Sequence, residues 1–419
     1  MKRLNLAFVT PLNPIPNGLS DYSELLLPAL AEQADITLYS ECGTPTNPQI
    51  ADRFEVRPVR QLLRHHAEHD LRLYQIGNSP DHAAALEMLR CLPGIVVLHE
   101  PFLHHGLRGV SGLRHWRELA YELGPVKREF LHRWAVENDR VELASAPVIR
   151  RIVDSSLGLI VHSEAARHLI LDSQSRNGGN RSPEIAVIPH LMPILPTYDR
   201  LACRDQLGLP QEAVVFGVPG TVDPTKEPAL ILHAFAQVRD QLPTARLAFA
   251  GDRPADYGLD QLVRELNLPD RVHFLGRVEP LEQLHQAIAA CDAVINLRQP
   301  TIGETSGTAL RALSLGRALI VRNVGWYGEL PNEACVKIGA QSQADELARA
   351  MLAVANSPAY RLQLEQAGRS YIQTACDPAA VARQYSDFGC DLFHRIISLD
   401  RVSSPLARHS LMLMSERKI

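Results

Sequence analysis

Backbone N–H groups are left free where a strand ends, a small polar loop follows and a helix begins. The sequence has such a place at Leu297-Arg298-Gln299-Pro300-Thr301-Ile302-Gly303-Glu304-Thr305-Ser306-Gly307-Thr308, leading into Ala309-Leu310-Arg311-Ala312-Leu313. The N–H groups and the dipole of a helix N-terminus hold anions. Gly307 lets backbone approach a phosphate closely, and Ser306 can cap the helix or donate to a ligand. Glu304 is a poor phosphate ligand but a good acceptor for sugar or ribose hydroxyls, and Arg298 adds a cation just upstream. A second such place is Gly217-Val218-Pro219-Gly220-Thr221-Val222-Asp223-Pro224-Thr225-Lys226. Lys226 stands at the start of a helix, where the dipole disfavours a cation unless an anion is held there.

Two further places lie in the first half. His99, in Val96-Val97-Leu98-His99-Glu100-Pro101, ends a strand with an imidazole that can move protons near neutral pH. Asn17-Gly18-Leu19-Ser20-Asp21-Tyr22 offers another group of N–H donors between the first strand and first helix. Each has a plain structural alternative: an ordinary N-cap, a solvated lysine, a histidine bonded to backbone. His162 and His190, also at strand ends, read as structural.

The elements that position these loops are short apolar runs alternating with helical patterns. The strands expected are Leu4–Val9, Ile36–Tyr39, Leu71–Ile76, Ile95–His99, Leu159–His162 and Ile185–Ile188. A second series follows at Val214–Val218, Ala245–Ala250, Val272–Leu275, Ala293–Leu297 and Ala318–Val321. Helical patterns lie between them, among them Tyr22–Gln33, Asp81–Cys91, Glu227–Gln241, Leu259–Leu266, Leu281–Ala290 and Thr308–Leu315. Strand and helix alternating in this way imply an α/β protein with parallel sheets covered on both faces. Ligands of such sheets bind at the carboxyl ends of the strands. The series restarts after the proline-rich stretch Pro189–Pro196, which reads as a linker between two domains. The expected division is 1–195 and 196–377, with a helix near 378–400 that packs back on the first domain and a tail at 401–419. The segment 100–156 carries His104, His105, Arg108, Arg114, His115 and Arg117, and reads as a cover for the cleft or a partner contact.

The chain has 419 residues, 46% of them hydrophobic and 21% charged, with net charge −4. Disordered, collagen-like and disulfide-scaffold classes are excluded, and no global basic field points to nucleic acid. The seven cysteines are scattered without a C-x-x-C, which suits a reducing, cytoplasmic setting and argues against a zinc knuckle. No run approaches the roughly 18 apolar residues of a membrane span, so membrane contact would be peripheral, at the inner face. The G-x-G-x-x-G, P-loop, H-E-x-x-H and G-x-S-x-G patterns are absent, which lowers dinucleotide oxidoreductases, P-loop enzymes, zincins and α/β-hydrolases.

In this order and spacing the four loops resemble the retaining family-4 glycosyltransferases of the GT-B fold, over about residues 4–390. The likeness is clearest at 214–240, at Val272-His273-Phe274-Leu275-Gly276-Arg277-Val278, and from Ile302 to Val321. In the first half, Gly18–Ser23 and Gly77-Asn78-Ser79 with His99-Glu100 are similar to a bacterial branch of the family, one with a Gly-Glu-Thr-Ser-Gly donor loop. The resemblance implies two Rossmann-like domains facing a central cleft. It also implies a nucleotide-diphosphate-sugar donor, no other cofactor and no metal, and transfer with retention to a hydroxyl acceptor. A polysaccharide end, a lipid-linked sugar and a small molecule all stay open as acceptors, as in cell-surface polysaccharide biosynthesis. It gives the diphosphate to Lys226 in the glycine turn with Gly220 and Thr221, the distal phosphate to the Gly18 backbone, and the donor sugar to His99. Thr305, Ser306, Gly307 and Thr308 supply N–H groups, and Arg277 and Val278 lie beside the base.

The sequence departs from the family pattern twice. Thr221 stands where an arginine is usual, and the ribose glutamate is replaced by Ala312 or Arg311, depending on alignment. Arg298 is the expected substitute cation, and Glu304 the expected acceptor for sugar or ribose hydroxyls. Two other readings stand beside this one: another GT-B enzyme, such as a nucleotide-sugar epimerase or a phosphorylase, and a degenerate binding protein without turnover.

Overall fold

The computed structural model describes residues 3–110, 112–123, 147–176, 183–254 and 257–402. These divide into two compact units. The first is drawn from Met1–His162, Leu169–Ile188 and Val381–Ile419, the second from Ser163–His168 and Pro189–Ala380. Each is built on one sheet in which every pairing is parallel.

The first sheet contains β1 (Asn5–Val9), β2 (Asp35–Tyr39), β3 (Val56–Arg57), β4 (Leu71–Ile76), β5 (Ile95–Leu98), β6 (Gly158–Val161) and β7 (Ile185–Val187), in the order β3-β2-β1-β4-β5-β6-β7. The second contains β8 (Val215–Pro219), β9 (Arg246–Ala250), β10 (Val272–Phe274), β11 (Ala293–Asn296), β12 (Ala318–Arg322) and β13 (Val336–Ile338), in the order β10-β9-β8-β11-β12-β13. Eleven of these strands fall within a residue or two of the expected runs, whereas β3 and β13 were not expected. Both are edge strands of two or three residues, too short for a local pattern and formed by pairing with β2 and β12.

Successive side chains of a strand point to opposite faces, and both faces of the second sheet are apolar. Phe216 and Val218 of β8, Ala293 and Ile295 of β11, and Ile320 of β12 join one core. Val215, Val294, Leu319 and Val321 join the other. This double burial explains the unbroken apolar runs. In each sheet the strand order reverses at one point: between β1 and β4 in the first, between β8 and β11 in the second. The crevices beyond the carboxyl ends of those strand pairs are where such sheets take ligands.

The C-terminal helix, Pro378–Val402, lies on the first sheet. A side chain on Gly158 would meet Phe388 at 2.9 Å, and the hydroxyls of Tyr22 and Tyr385 are 2.7 Å apart. The expected linker is not a free connector. Met192 N–H donates to the Cys376 carbonyl at 2.9 Å, and the Ser314 hydroxyl ties Leu195 N–H (2.8 Å) and the Pro193 carbonyl (2.7 Å) to the second unit. The expected tail at 401–419 lies, from residue 403 on, outside the described residues, as does 124–146 of the segment read as a cover. The side chains of Arg108, Arg114 and His115 are outside them too; His104 is buried and His105 and Arg117 are exposed. No helix among the described residues is long and apolar enough to cross a membrane.

Candidate functional site

Lys226 ends a single 3-10 turn, Pro224–Lys226, just beyond β8. Asp223 caps it, accepting from Thr225 N–H at 2.9 Å. Gly220 has φ +91°, a left-handed conformation that glycine adopts without strain. A Cβ there would sit 2.7 Å from Lys226 Nζ and 3.6 Å from Thr308 Oγ1. The missing side chain thus leaves one small space onto which the ammonium and the start of the helix Gly307–Ser314 converge. Nζ has a long contact of 3.5 Å to the Pro219 carbonyl. Burial first, and then the Arg298 guanidinium, bring the Lys226 pKa down to about 8, against the upward pull of Asp223.

Arg298 follows β11, the neighbour of β8. Its Nη1 donates to Thr225 Oγ1, which in turn donates to Asp223, and lies 3.9 Å from Asp223 Oδ1. Gln299 N–H donates to the Thr225 carbonyl at 2.7 Å. Arg298 Nε approaches Glu304 Oε1 at 2.9 Å, in ion-pair rather than aligned hydrogen-bond geometry. The other Glu304 oxygen accepts from Ile302 N–H (2.8 Å) and the Thr301 hydroxyl (3.1 Å). Glu304 is only 8% exposed. Its carboxylate shapes its own loop and pairs with Arg298.

Ser306 caps the helix, accepting from Ala309 N–H and donating to Asn296 Oδ1, both at 3.2 Å. The Thr305 hydroxyl is buried with no hydrogen-bond partner among the described residues. Ala312 is fully buried, and Arg311 reaches back toward Gly307, so neither position can supply a ribose carboxylate. Thr221 is exposed. Arg277 and Val278 follow the edge strand β10, two strands from β8. Arg277 is exposed, pairs with Glu279, and lies 3.6 Å from Asp252. The structure thus gathers Gly220, Lys226, Arg298, Glu304 and Thr305–Thr308 at the switch point of the second sheet.

Sequence reasoning missed the partners that hold this cluster. Thr225 and Asp223 are the nearest of them; the Asp-Pro pair opening the turn was the available signal. Glu227, next to Lys226, is itself left-handed (φ +54°) and is gripped by Arg322 from the end of β12, at 2.7 Å (Nε to Oε2) and 2.6 Å (Nη2 to Oε1). Nothing local in the sequence marks that pair.

In the first unit, Gly18 opens the helix Gly18–Leu30 at the switch point, with Asn17 accepting from Leu19 N–H at 2.9 Å. Asn17 also donates to Asp81 at 3.0 Å, beyond β4. A Cβ on Gly18 would meet nothing within 4 Å, so packing gives no reason for a glycine there. His99 directly follows β5. Its Nε2 lies 2.6 Å from Gln75 Oε1 and its Nδ1 lies 3.2 Å from His162 Nε2. His162 Nδ1 donates to the Ile188 carbonyl at 2.9 Å, and burial lowers its pKa to about 4, so this ring is neutral. Tyr22 packs edge-on against His99, ring centroids 4.6 Å apart. Both His99 nitrogens have partners in this buried chain. His162 is structural, as expected. Among the described residues no cluster of three or more His, Cys, Asp or Glu side chains could hold a metal ion.

Two Rossmann-like parallel-sheet units, each with its loops gathered at a switch point, are the GT-B architecture of glycosyltransferases. Solved structures of that fold match nearly the whole chain. The Anabaena protein Alr3699/HepE in complex with UDP superposes with a TM-score of 0.65 over 92% of this chain and 99% of its own, at 16% identity. The same protein has been solved with UDP-glucose. Sucrose-phosphate synthase from Thermosynechococcus elongatus gives a TM-score of 0.62 over 94% and 100%, at 19% identity. By sequence, residues 199–371, all in the second unit, match the family Glycosyl transferases group 1. A D-inositol 3-phosphate glycosyltransferase from Stackebrandtia nassauensis is 34% identical over 138 residues, 30% of each chain. The chain spans 30%, 40% and 52% of the length of three such curated relatives.

Proposed function

We propose that this chain is a glycosyltransferase that draws its sugar from a nucleoside diphosphate sugar, gripped on the second unit by Lys226, Arg298 and the N-terminus of the helix Gly307–Ser314. One observation carries the reading: the partly desolvated Lys226 ammonium and Thr308 at the helix start meet over the side-chain-free face of Gly220. A cation kept in such surroundings has a use if an anion arrives. The UDP and UDP-glucose complexes of the Anabaena neighbour support the donor class.

The chemistry follows from charge. As the anomeric C–O bond breaks, negative charge grows on the departing diphosphate. Lys226, Arg298 and the backbone N–H groups at residues 305–308, where the helix begins, stabilise it without reorganising. Losing one such group costs on the order of 10² to 10³ in rate. In this reading Glu304 aims Arg298, the Gly18 backbone receives the distal phosphate, Thr221 borders the glycine turn, and Arg277 and Val278 flank the base. His99 contacts the donor sugar, as the sequence resemblance implies. Retention, independence of metal, the bacterial branch with the Gly-Glu-Thr-Ser-Gly loop, and a cytoplasmic or inner-face location belong to the same proposal and rest on the sequence resemblance. The acceptor is a hydroxyl, and the name of the curated relatives makes a phosphorylated polyol the first class to try.

The test is a thermal-shift screen against a nucleotide-sugar panel, followed by hydrolysis of the best binder without acceptor. A selective rise in Tm and slow hydrolysis, both lost in Lys226→Ala, are expected. Free epimerised sugar nucleotide would turn the assignment to an epimerase. No stabilisation by any nucleotide sugar would refute it.

A further inference from the structure

We propose that Arg322 and Glu227 form a positioning pair for Lys226: by fixing the left-handed residue that follows the lysine, the pair holds the ammonium over Gly220. The proposal deepens the nucleotide-sugar reading, on which its functional half rests.

Glu227 does two jobs in the backbone. Its N–H closes the 3-10 turn on the Pro224 carbonyl at 3.0 Å, and its own carbonyl accepts from Ile231 N–H at 3.1 Å, starting the helix Pro228–Gln241. It does this at φ +54° and ψ +46°, which a residue with a Cβ adopts only when its surroundings enforce it. The enforcing contact is the two-pronged bond from Arg322. Arg322 is 2% exposed, and its third nitrogen donates to the carbonyls of Gly339 (3.0 Å), Ala340 (3.1 Å) and Ser342 (3.3 Å). A fully buried guanidinium with this many partners does not move, so Glu227 does not either.

On the other side of Lys226, Thr225 is bound to Arg298 and Gln299 from the end of β11. Lys226 therefore lies between two residues tied to the ends of adjacent strands, β11 and β12. The side chain of Lys226 is long and flexible, and such chains lose substantial rotamer entropy when fixed. Fixing the backbone on both sides keeps the half-buried, costly conformation from relaxing toward solvent.

The experiment pairs Glu227→Ala with Arg322→Met, so that no buried charge is orphaned while residue 227 keeps its Cβ and loses the contact that holds it left-handed. Competitive acylation followed by mass spectrometry reads the pKa of Lys226 in the full chain without any nucleotide. UDP binding by calorimetry reads the functional half. The expected result is a folded protein whose Lys226 pKa moves from about 8 at least one pH unit toward the ordinary 10.5, with UDP affinity about tenfold lower. An unchanged Lys226 titration with affinity within twofold would overturn the proposal. If the double variant does not fold, Glu227→Gln is read by the same two measurements. It should move in the same direction by a smaller amount, and no movement there also overturns the proposal. Failure of the wild type to bind UDP would refute the donor reading alone, because the acylation result still decides the positioning role.

Discussion

Binding of a nucleotide sugar should draw a proton onto Lys226, and the amount follows from where the ammonium sits. Burial and Arg298 set its pKa at about 8 in the free protein, against 10.5 in water. A diphosphate against Nζ restores the preference for the charged form. Near pH 8 about half of the molecules carry the neutral amine, so UDP-glucose should take up about half a proton, approaching one near pH 9. Affinity should fall by up to about tenfold per pH unit above that midpoint. Restoring the whole displacement from about 8 to 10.5 corresponds to roughly 3 kcal/mol. The phosphates of a nucleoside diphosphate sugar do not titrate in this range and the uracil N3–H begins to do so only at its upper end, so the Lys226→Met variant is what assigns the proton. Calorimetry in buffers of different ionisation enthalpy, between about pH 7 and 9, measures the uptake. It should vanish in Lys226→Met. Zero uptake in the wild type near pH 8.5, or uptake that persists in the variant, would refute the reasoning. The free protein gives an independent check. Its folded-state pKa lies below the unfolded value, so the unfolded chain binds more protons between about 8 and 10.5. Stability should therefore rise with pH through that window, and this rise should be missing in Lys226→Met.

Other outcomes follow from the same geometry. Gly18→Ala should leave the Tm unchanged or slightly raised, since no atom lies within 4 Å of the new methyl, while turnover falls at least tenfold if a phosphate approaches that backbone; full activity would remove Gly18 from the site. Gly220→Ala should cost about 1 kcal/mol or more from its φ of +91°, measured by urea unfolding, and should weaken UDP binding by displacing Lys226. Arg298→Ala should lower both donor affinity and turnover, and Glu304→Gln should reproduce part of that loss without abolishing the helix; donor kinetics and circular dichroism separate the two effects. His162 has a folded-state pKa of about 4, below the ordinary 6.5, so the unfolded chain binds more protons between these values. Acidification from about pH 6.5 to 4 should cost up to roughly 3 kcal/mol through this group, and denaturation of His162→Gln should show a correspondingly flatter acid limb.

The sheet architecture was legible because doubly covered strands write their burial into local composition: β5, β6, β11 and β12 are buried along their length and apolar up to the terminal Asn296 and Arg322 of the last two. The edges β3 and β13 were not, because pairing with a neighbour creates them. In the site, Lys226 and Arg298 were legible as cations at strand ends. What they touch was not. Thr225 meets Arg298 across 73 residues, and Glu227 meets Arg322 across 95. The partners of His99 were hidden for the same reason: Gln75 and His162 are 24 and 63 positions away.

The first unit takes its last helix from residues that follow the whole second unit, and this bears on how the protein is made. While the ribosome has not yet released Val381 onward, the face of the early sheet around Gly158 lacks Phe388, and Leu4, Leu71 and Ile95 lack their neighbour at Gly389. The later-encoded unit has its full complement of strands before the earlier-encoded one can close. A nascent chain therefore carries an uncovered apolar face from the completion of β7 until Val381 onward has emerged, the kind of surface on which chaperones act.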